Sequence, residues 1–318
     1  MFGQAARLVA AAKARRPGKA LPAPGGWVYL VNDTNDFLSW QFGLKRWTPA
    51  EARAVRQTLQ ARLAALSPTP YRMFVTPEKS VVYREWLPEG LDRLRNAADR
   101  PALQMAAAAP AAVHYLAPWF ERMKRLGFVY FRGDTHVSWL GAYLLYRYVM
   151  ETIAQTGVTT TPPIAYSDLL PELAGFEGDV YAQLDEADRA AFAADAGYAQ
   201  WRNMLELGLL YRLHPDTARA RRVRLADDYL PGFRGRELVA FETGDSTLPR
   251  AVVFRDSTAT EVMPFLSEHF ARVVYAWHDG DVLAEILDRE RPDIVLHFVA
   301  ERFLATYPDM PPINRLQT

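Results

Sequence analysis

Short runs of consecutive apolar residues alternate along this chain with segments of helical periodicity. The runs are rich in β-branched and aromatic residues, and glycine, proline or charged residues bound them. Runs of this kind are typical of strands that are buried on both faces of a sheet. The pattern predicts strands over 25–31, 71–75, 128–131, 237–241, 251–254, 273–277 and 294–299.

Helices are predicted between these strands. Thr48 and Glu51 enclose Pro49 in a capping box, which predicts a helix that runs to about Leu66. Apolar residues at helical spacing predict further helices over 139–153, 258–271 and 282–289. Beyond residue 236 strands and helices alternate with short connections, as in right-handed βαβ units. We therefore expect a three-layer, flavodoxin-like α/β fold, with a parallel sheet and helices on both of its faces.

Two segments depart from this alternation. Met1 to Ala12 is predicted to form a short amphipathic helix, and Pro17 to Gly26 a linker. Residues 157–235 have no clear period, so we expect an irregular insertion between two halves of one sheet. The predicted organisation is an N-terminal helix and linker over 1–24 and one domain over 25–318, with the insertion at about 157–235.

Composition and charge exclude several classes of function. Half of the 318 residues are hydrophobic, and 37 basic side chains balance 37 acidic ones, so no nucleic acid is expected as a partner. There is no cysteine, no His-x-x-x-His spacing and no glycine-rich phosphate loop, so we expect neither a metal nor a cofactor. No apolar run is long enough for a membrane span, and the basic residues near the N-terminus follow the apolar stretch, whereas a secretory signal has them before it.

Ser257 follows the predicted strand over 251–254 and precedes a predicted helix. In an α/β fold this junction presents a nucleophile at the carboxyl end of the sheet, where the first N–H groups of the helix can hold an oxyanion. Serine is also a common helix N-cap, which is the alternative interpretation.

Asp134 and His136 follow the predicted strand over 128–131, so we expect them at the same sheet edge as Ser257. A serine nucleophile needs a base, and the base needs a partner that fixes its tautomer. His136 and Asp134 are chemically suited to these roles. Alternatively, Asp134 caps the next helix and His136 is a surface residue.

These motifs resemble the AlgJ/AlgX family of alginate O-acetylation proteins, in the SGNH hydrolase superfamily. The resemblance covers roughly 25–156 and 236–304. It rests on four stretches, namely Gly26-Trp-Val-Tyr-Leu30, Val75-Thr-Pro-Glu-Lys-Ser-Val-Val-Tyr83, Phe131-Arg-Gly-Asp-Thr-His136 with Ser138-Trp-Leu-Gly-Ala-Tyr143, and Arg255-Asp-Ser257 with Glu268-His-Phe270. It implies an SGNH-like fold in which Ser257 is the nucleophile, His136 the base and Asp134 the orienting acid.

The same resemblance implies O-acetyl transfer to a polysaccharide, a membrane acyl-donor protein as a partner by analogy, and a periplasmic location. Hydrolysis by a carbohydrate esterase, and a non-catalytic carbohydrate-binding protein of exopolysaccharide assembly, are the alternatives. Val137 stands where the family has tryptophan, and Arg255 where it usually has glycine. Oxyanion or substrate contacts are predicted for Arg255, Thr258, Asn32, Asn35, Lys79 and Tyr83, although Asn32 and Asn35 also suit a turn.

A second serine needs comparison with Ser257. Residues 244–248 spell Gly-Asp-Ser-Thr-Leu, which is similar to the Gly-Asp-Ser-Leu string of many SGNH esterases. Turn residues bracket Ser246, and it precedes the strand over 251–254 instead of following it. We therefore favour Ser257 and interpret 243–249 as a hairpin-like loop.

Overall fold

A computed structural model describes residues 2–14, 18–88, 90–194, 206–277 and 280–316. Its helices are α1 (Phe2–Ala14), α2 (Phe37–Gln41), α3 (Pro49–Leu66), α4 (Lys79–Val82), α5 (Pro101–Ala108), α6 (Ala117–Met123), α7 (Trp139–Ala154), α8 (Glu186–Ala194), α9 (Met263–Leu266) and α10 (Ala284–Glu290). Its strands are β1 (Ala20–Ala23), β2 (Trp27–Leu30), β3 (Tyr71–Thr76), β4 (Val113–Tyr115), β5 (Leu169–Phe176), β6 (Glu206–Leu213), β7 (Arg221–Val223), β8 (Glu237–Glu242), β9 (Arg250–Arg255), β10 (Arg272–Trp277) and β11 (Ile294–Ala300).

The main sheet has seven strands in the order β4-β3-β11-β9-β10-β8-β7. The first five are parallel, which confirms the α/β prediction for the centre of the sheet. β8 runs antiparallel to both of its neighbours, so the sheet is mixed and not fully parallel. The connection from β8 to β9 is a short turn with no room for a crossover helix, so these two strands cannot be parallel. They lie on opposite sides of β10, and 243–249 is therefore not a hairpin loop.

Helices cover both faces of the sheet, as expected for three layers. Along β9, Ala251 and Val253 face the core that α7 and α1 cover, while Val252 and Phe254 face the core under α3, α5 and α10. Because successive side chains of a strand point to opposite faces, each apolar run fills two cores at once. Among the described helices, no span has the length and apolar character needed to cross a membrane.

The N-terminal part differs from the predicted helix and linker. The helix is present as α1, but β1 forms an antiparallel pair with β2, within the stretch that we expected to be a linker. Leu21 is fully buried there. The segment therefore forms a strand because its apolar residues are buried, although its proline and glycine content predicted a linker.

The insertion is more regular than predicted. Residues 169–176 and 206–213 form the antiparallel strands β5 and β6 of a separate two-stranded sheet. β7 joins the edge of the main sheet. Residues 195–205, which belong to the predicted insertion, lie outside the described residues.

Two predicted elements near the site are wrong in detail. Residues 128–131 do not join the main sheet, and within the described chain Tyr130 makes an isolated bridge with Val137. The predicted helix over 258–271 is broken into a 3-10 turn at Ser257–Ala259, α9, and a second 3-10 turn at Ser267–His269. Pro264 is the cause, because a proline cannot continue a preceding helix and is tolerated only in the first turn of a new one.

Candidate active site

Asp134 and His136 form a hydrogen-bonded pair. His136 Nδ1–H donates to Asp134 Oδ1 over 2.6 Å, and the main-chain N–H of His136 donates to the same oxygen over 2.7 Å. Asp179 N–H donates to Asp134 Oδ2 over 2.6 Å. With the proton held on Nδ1, Nε2 of His136 is the ring atom left to accept a proton. The pair therefore has the geometry of a general base and its orienting acid.

The pKa values of the pair are shifted in opposite directions. The Asp134 side chain is 3% exposed, and burial alone would raise its pKa, but the hydrogen bond and charge of His136 and the two N–H donors lower it to about 2. Burial lowers the pKa of His136, yet the hydrogen bond and charge of Asp134 and then the charge of Asp179 raise it overall. Asp134 is therefore a carboxylate at neutral pH, and it makes His136 a stronger base.

Lys79 and Tyr83 hold the loop that carries this pair. Lys79 is 3% exposed, and its ammonium donates to the carbonyls of Phe131, Arg132 and Asp134 over 3.1, 2.5 and 2.6 Å. Tyr83 Oη accepts from the Val129 N–H over 3.0 Å. These two side chains support the loop in addition to the bridge between Tyr130 and Val137, and they do not line the cavities beside it.

Ser257 lies directly after β9, in the first 3-10 turn. Asp256 caps that turn by accepting from Thr258 N–H over 2.8 Å and Thr258 Oγ over 2.5 Å, so Ser257 is not the N-cap. The other Asp256 oxygen accepts from Ala300 N–H over 2.6 Å, which fixes the turn against the end of β11. Ser257 Oγ makes no hydrogen bond within the described parts of the chain.

Ser257 and His136 line the same two neighbouring cavities, of about 590 and 540 Å³. The larger cavity has mostly polar side chains around it, whereas the surface of the smaller one is mostly apolar although polar residues also line it. No direct hydrogen bond joins Ser257 to His136 in the described residues. The structure thus brings the predicted serine, histidine and acid to one place, with the serine and histidine still apart. The larger cavity is also lined by Asp33, Asn35, Arg236 and Arg302, and the smaller one by Phe131, Val137, Trp139 and Trp277.

The remaining predicted contacts have different placements. Arg255 is 2% exposed, is ion-paired with Glu237, lies 4.4 Å from the ring centre of Trp277, and lines neither cavity. Thr258 lines the smaller cavity, but Asp256 occupies its N–H and hydroxyl.

The two asparagines of the loop after β2 also differ in position. Asn32 has a positive φ of 51° and donates to the Lys13 carbonyl over 3.1 Å, which is a turn role. Asn35 lines the larger cavity beside Ser257.

Two further histidines, His269 and His297, make structural contacts, and Ser246 is remote from Ser257. Ser246 is exposed at the start of β9, the end opposite Ser257. His269 bridges Tyr146 Oη and Thr161 Oγ, each at 2.6 Å, and burial lowers its pKa to about 4. His297 is a core residue and contacts Tyr71 Oη at 2.8 Å. His278 lies outside the described residues.

Three residues beside the site were not predicted from the sequence. Asp179 contacts the Asp134 loop but comes from the insertion, where no pattern marked it. Arg302 follows the last strand and ion-pairs with Glu78 at 2.9 Å, so the rule that sites lie at the carboxyl ends of strands could have found it. Glu261 lines the smaller cavity, and burial raises its pKa.

One potential metal-ligand atom from each of Asp134, His136 and Asp179 lies within 4.8 Å of the others, a spacing that an ion could bridge. Hydrogen bonds within the protein already occupy them. Asp134 is bonded to His136, and the Asp179 carboxylate accepts from Thr135 N–H and Oγ over 2.8 and 2.7 Å. The arrangement is therefore explained without a metal.

A mostly parallel sheet between helical layers, with an Asp-His pair and a serine at one edge, defines an SGNH-hydrolase-like protein. The chain belongs to the family described as SGNH hydrolase-like domain, acetyltransferase AlgX, which matches residues 24–203. That match includes Asp134 and His136, whereas Ser257 lies beyond it. No functionally curated protein matches the chain.

Several solved structures share the fold. A DHHW family protein from Eubacterium siraeum is 16% identical, with 93% of this chain and 99% of that one covered and a TM-score of 0.59. Bacillus cereus PatB1 is 17% identical, with 90% and 97% covered and a TM-score of 0.59. The O-acetyltransferase domain of Pseudomonas putida AlgJ is 18% identical, with 91% and 92% covered and a TM-score of 0.50. At these identities the likeness shows the fold.

Proposed function

We propose that this protein transfers an acetyl group to a hydroxyl of a polysaccharide through an ester on Ser257. The observation that carries the proposal is the 2.6 Å Asp134–His136 pair, whose histidine lines the same two cavities as Ser257. Membership of an acetyltransferase family and the fold shared with the AlgJ O-acetyltransferase domain support the choice of acyl group and reaction.

The proposed reaction has two halves. Ser257 Oγ attacks the carbonyl carbon of the donor ester while His136 Nε2 takes its proton, and the donor oxygen leaves with that proton as the acyl-serine forms. A sugar hydroxyl then attacks the acyl-serine and gives its proton to Nε2, and Ser257 leaves and regains a proton from the imidazolium. Asp134 keeps Nδ1 protonated throughout and stabilises the imidazolium charge.

The proposed acceptor, acyl donor and cellular location are inferred from the family. The acceptor is a glycan, the donor is a membrane acyl-donor protein by analogy, and the setting is periplasmic. Water in place of the sugar hydroxyl would give an esterase with the same residues, and loss of the acylation step would leave a carbohydrate-binding protein.

The test uses p-nitrophenyl acetate as donor, with and without an acceptor oligosaccharide. Ser257→Ala should lower the rate of nitrophenol release at least about 10³-fold, because no other group forms the ester. Ser246→Ala is the matched control and should leave the rate unchanged. Mass spectrometry of the oligosaccharide separates transfer, which adds acetyl, from hydrolysis, which releases acetate. An active Ser257→Ala protein and an inactive Ser246→Ala protein would reject Ser257 as the nucleophile.

A further inference from the structure

Residues 177–183 of the insertion lie against the loop that carries Asp134 and His136. The Asp179 N–H donates to Asp134 Oδ2, and the Asp179 carboxylate accepts from both the N–H and the hydroxyl of Thr135. Tyr181 N–H donates to the Gly133 carbonyl over 2.9 Å. A Cβ at Gly178 would overlap that same carbonyl, so only glycine allows this approach. The insertion therefore fixes the loop through its main chain as well as through a side chain.

A second carboxylate faces the histidine from this segment. Asp179 Oδ2 lies 3.9 Å from His136 Nδ1, the ring atom that is bonded to Asp134. Among the described residues, Glu261 and Arg302 also act on the imidazole, and Arg302 is ion-paired with Glu78. Burial lowers the pKa of His136, and the negative charges of Asp134 and then Asp179 raise it.

We propose that Asp179 is a positioning residue of the active site, which orients Asp134 through its main-chain N–H and places a second carboxylate 3.9 Å from the His136 ring. This inference rests on the proposed function, in which His136 is the base. The two contributions are separable. Asp179→Asn removes the charge but keeps the main-chain N–H and an amide oxygen for Thr135, whereas Gly178→Ala displaces the whole segment.

The first measurement is kcat/KM for p-nitrophenyl acetate against pH. The acidic limb of the Asp179→Asn profile should move to lower pH, because a less basic imidazole loses its proton earlier, and the plateau should fall by up to about 10-fold. Gly178→Ala should lower the plateau further. Asp216→Asn is the matched control, since Asp216 lies 3.6 Å from His214 Nδ1 in the same insertion but is exposed. Its profile should equal that of the wild type.

The second measurement does not depend on activity. Histidine resonances are followed by NMR against pH, with His136 assigned by its loss in His136→Gln and folding checked by circular dichroism. His136 should titrate at lower pH in Asp179→Asn than in the wild type. If the wild type is inactive and this shift still occurs, the proposed function fails and the role of Asp179 stands. If the wild type is active and Asp179→Asn changes neither the profile nor the His136 titration, the role of Asp179 is rejected.

Discussion

Asp134 fixes the tautomer of His136 and raises its pKa. Its two oxygens accept from the imidazole and from two main-chain N–H groups, so every bond needs an acceptor at that position. An amide cannot supply this pattern, because its NH₂ group would face one of the N–H donors. The Asp-x-His spacing was visible in the sequence, but the third donor, Asp179 N–H, was not, since it belongs to a segment without periodicity.

Asp134→Asn should therefore lower the acyl-transfer rate between about 10² and 10⁴-fold while the protein stays folded. The wild type should lose activity as pH falls through the raised pKa of His136, because the protonated imidazole cannot act as a base. In the variant, the remaining activity should persist to lower pH, since the carboxylate that raised that pKa is gone. The measurement is rate against pH, with circular dichroism as the folding control. A folded variant with the wild-type rate at every pH would remove Asp134 from the mechanism.

At the scale of elements, the sequence predicted those whose causes are local. Thr48 and Glu51 form the expected reciprocal capping box, and α3 starts at Pro49 and ends at Leu66 as predicted. The run 128–131 was assigned to a strand because an apolar pattern does not reveal where the main-chain hydrogen bonds go. In the structure some go to the side chains of Tyr83 and Lys79, which lie far away in sequence, and others go to the nearby main chain of Val137 and Ser138.

Because Lys79 supports this loop, we expect its replacement to lower the stability of the protein strongly. Lys79→Met keeps the length of the side chain but leaves three carbonyls of the loop without their ammonium donor, so the free energy of unfolding should fall by about 3 kcal/mol. Activity should fall as well, because Asp134 is in that loop. Lys45→Met is the control. Lys45 is half exposed and pairs with Asp36 at 2.9 Å, and its loss should cost less than about 1 kcal/mol. Urea unfolding measures both, and equal effects would contradict the supporting role of Lys79.

At the scale of the whole molecule, the Asp134–His136 pair also contributes to stability. The folded pKa of Asp134, about 2, lies below the usual value of 3.8. A carboxyl with a depressed pKa stabilises the fold above its unfolded pKa, and this contribution disappears as the pH falls through the folded pKa. Asp134 should therefore contribute on the order of 2 kcal/mol at pH 5, and little near pH 2.

The corresponding experiment compares the free energies of unfolding of wild type and Asp134→Asn in urea at pH 5 and near pH 2. The difference between the two proteins should shrink toward the lower pH. Asp216→Asn, which changes an exposed carboxylate, should show little difference from the wild type at either pH. If the difference in the free energy of unfolding between wild type and Asp134→Asn does not change with pH, the variant is destabilised by altered packing and not by the loss of charge.

The position of the last strand governs when the site can form during synthesis. β11 lies between β3 and β9, so the strand that leads toward Lys79 and the strand that leads to Ser257 do not touch until residues 294–300 pair with both. A ribosome-bound chain that ends at residue 293 contains every proposed catalytic residue but lacks the strand that joins the two halves. Because pairings between distant residues form late, the site should assemble in a single step after residues 294–300 have been synthesised. Nascent chains stalled before Ile294 should thus fail to react at Ser257 with a serine-directed sulfonyl fluoride, whereas the released full chain should react.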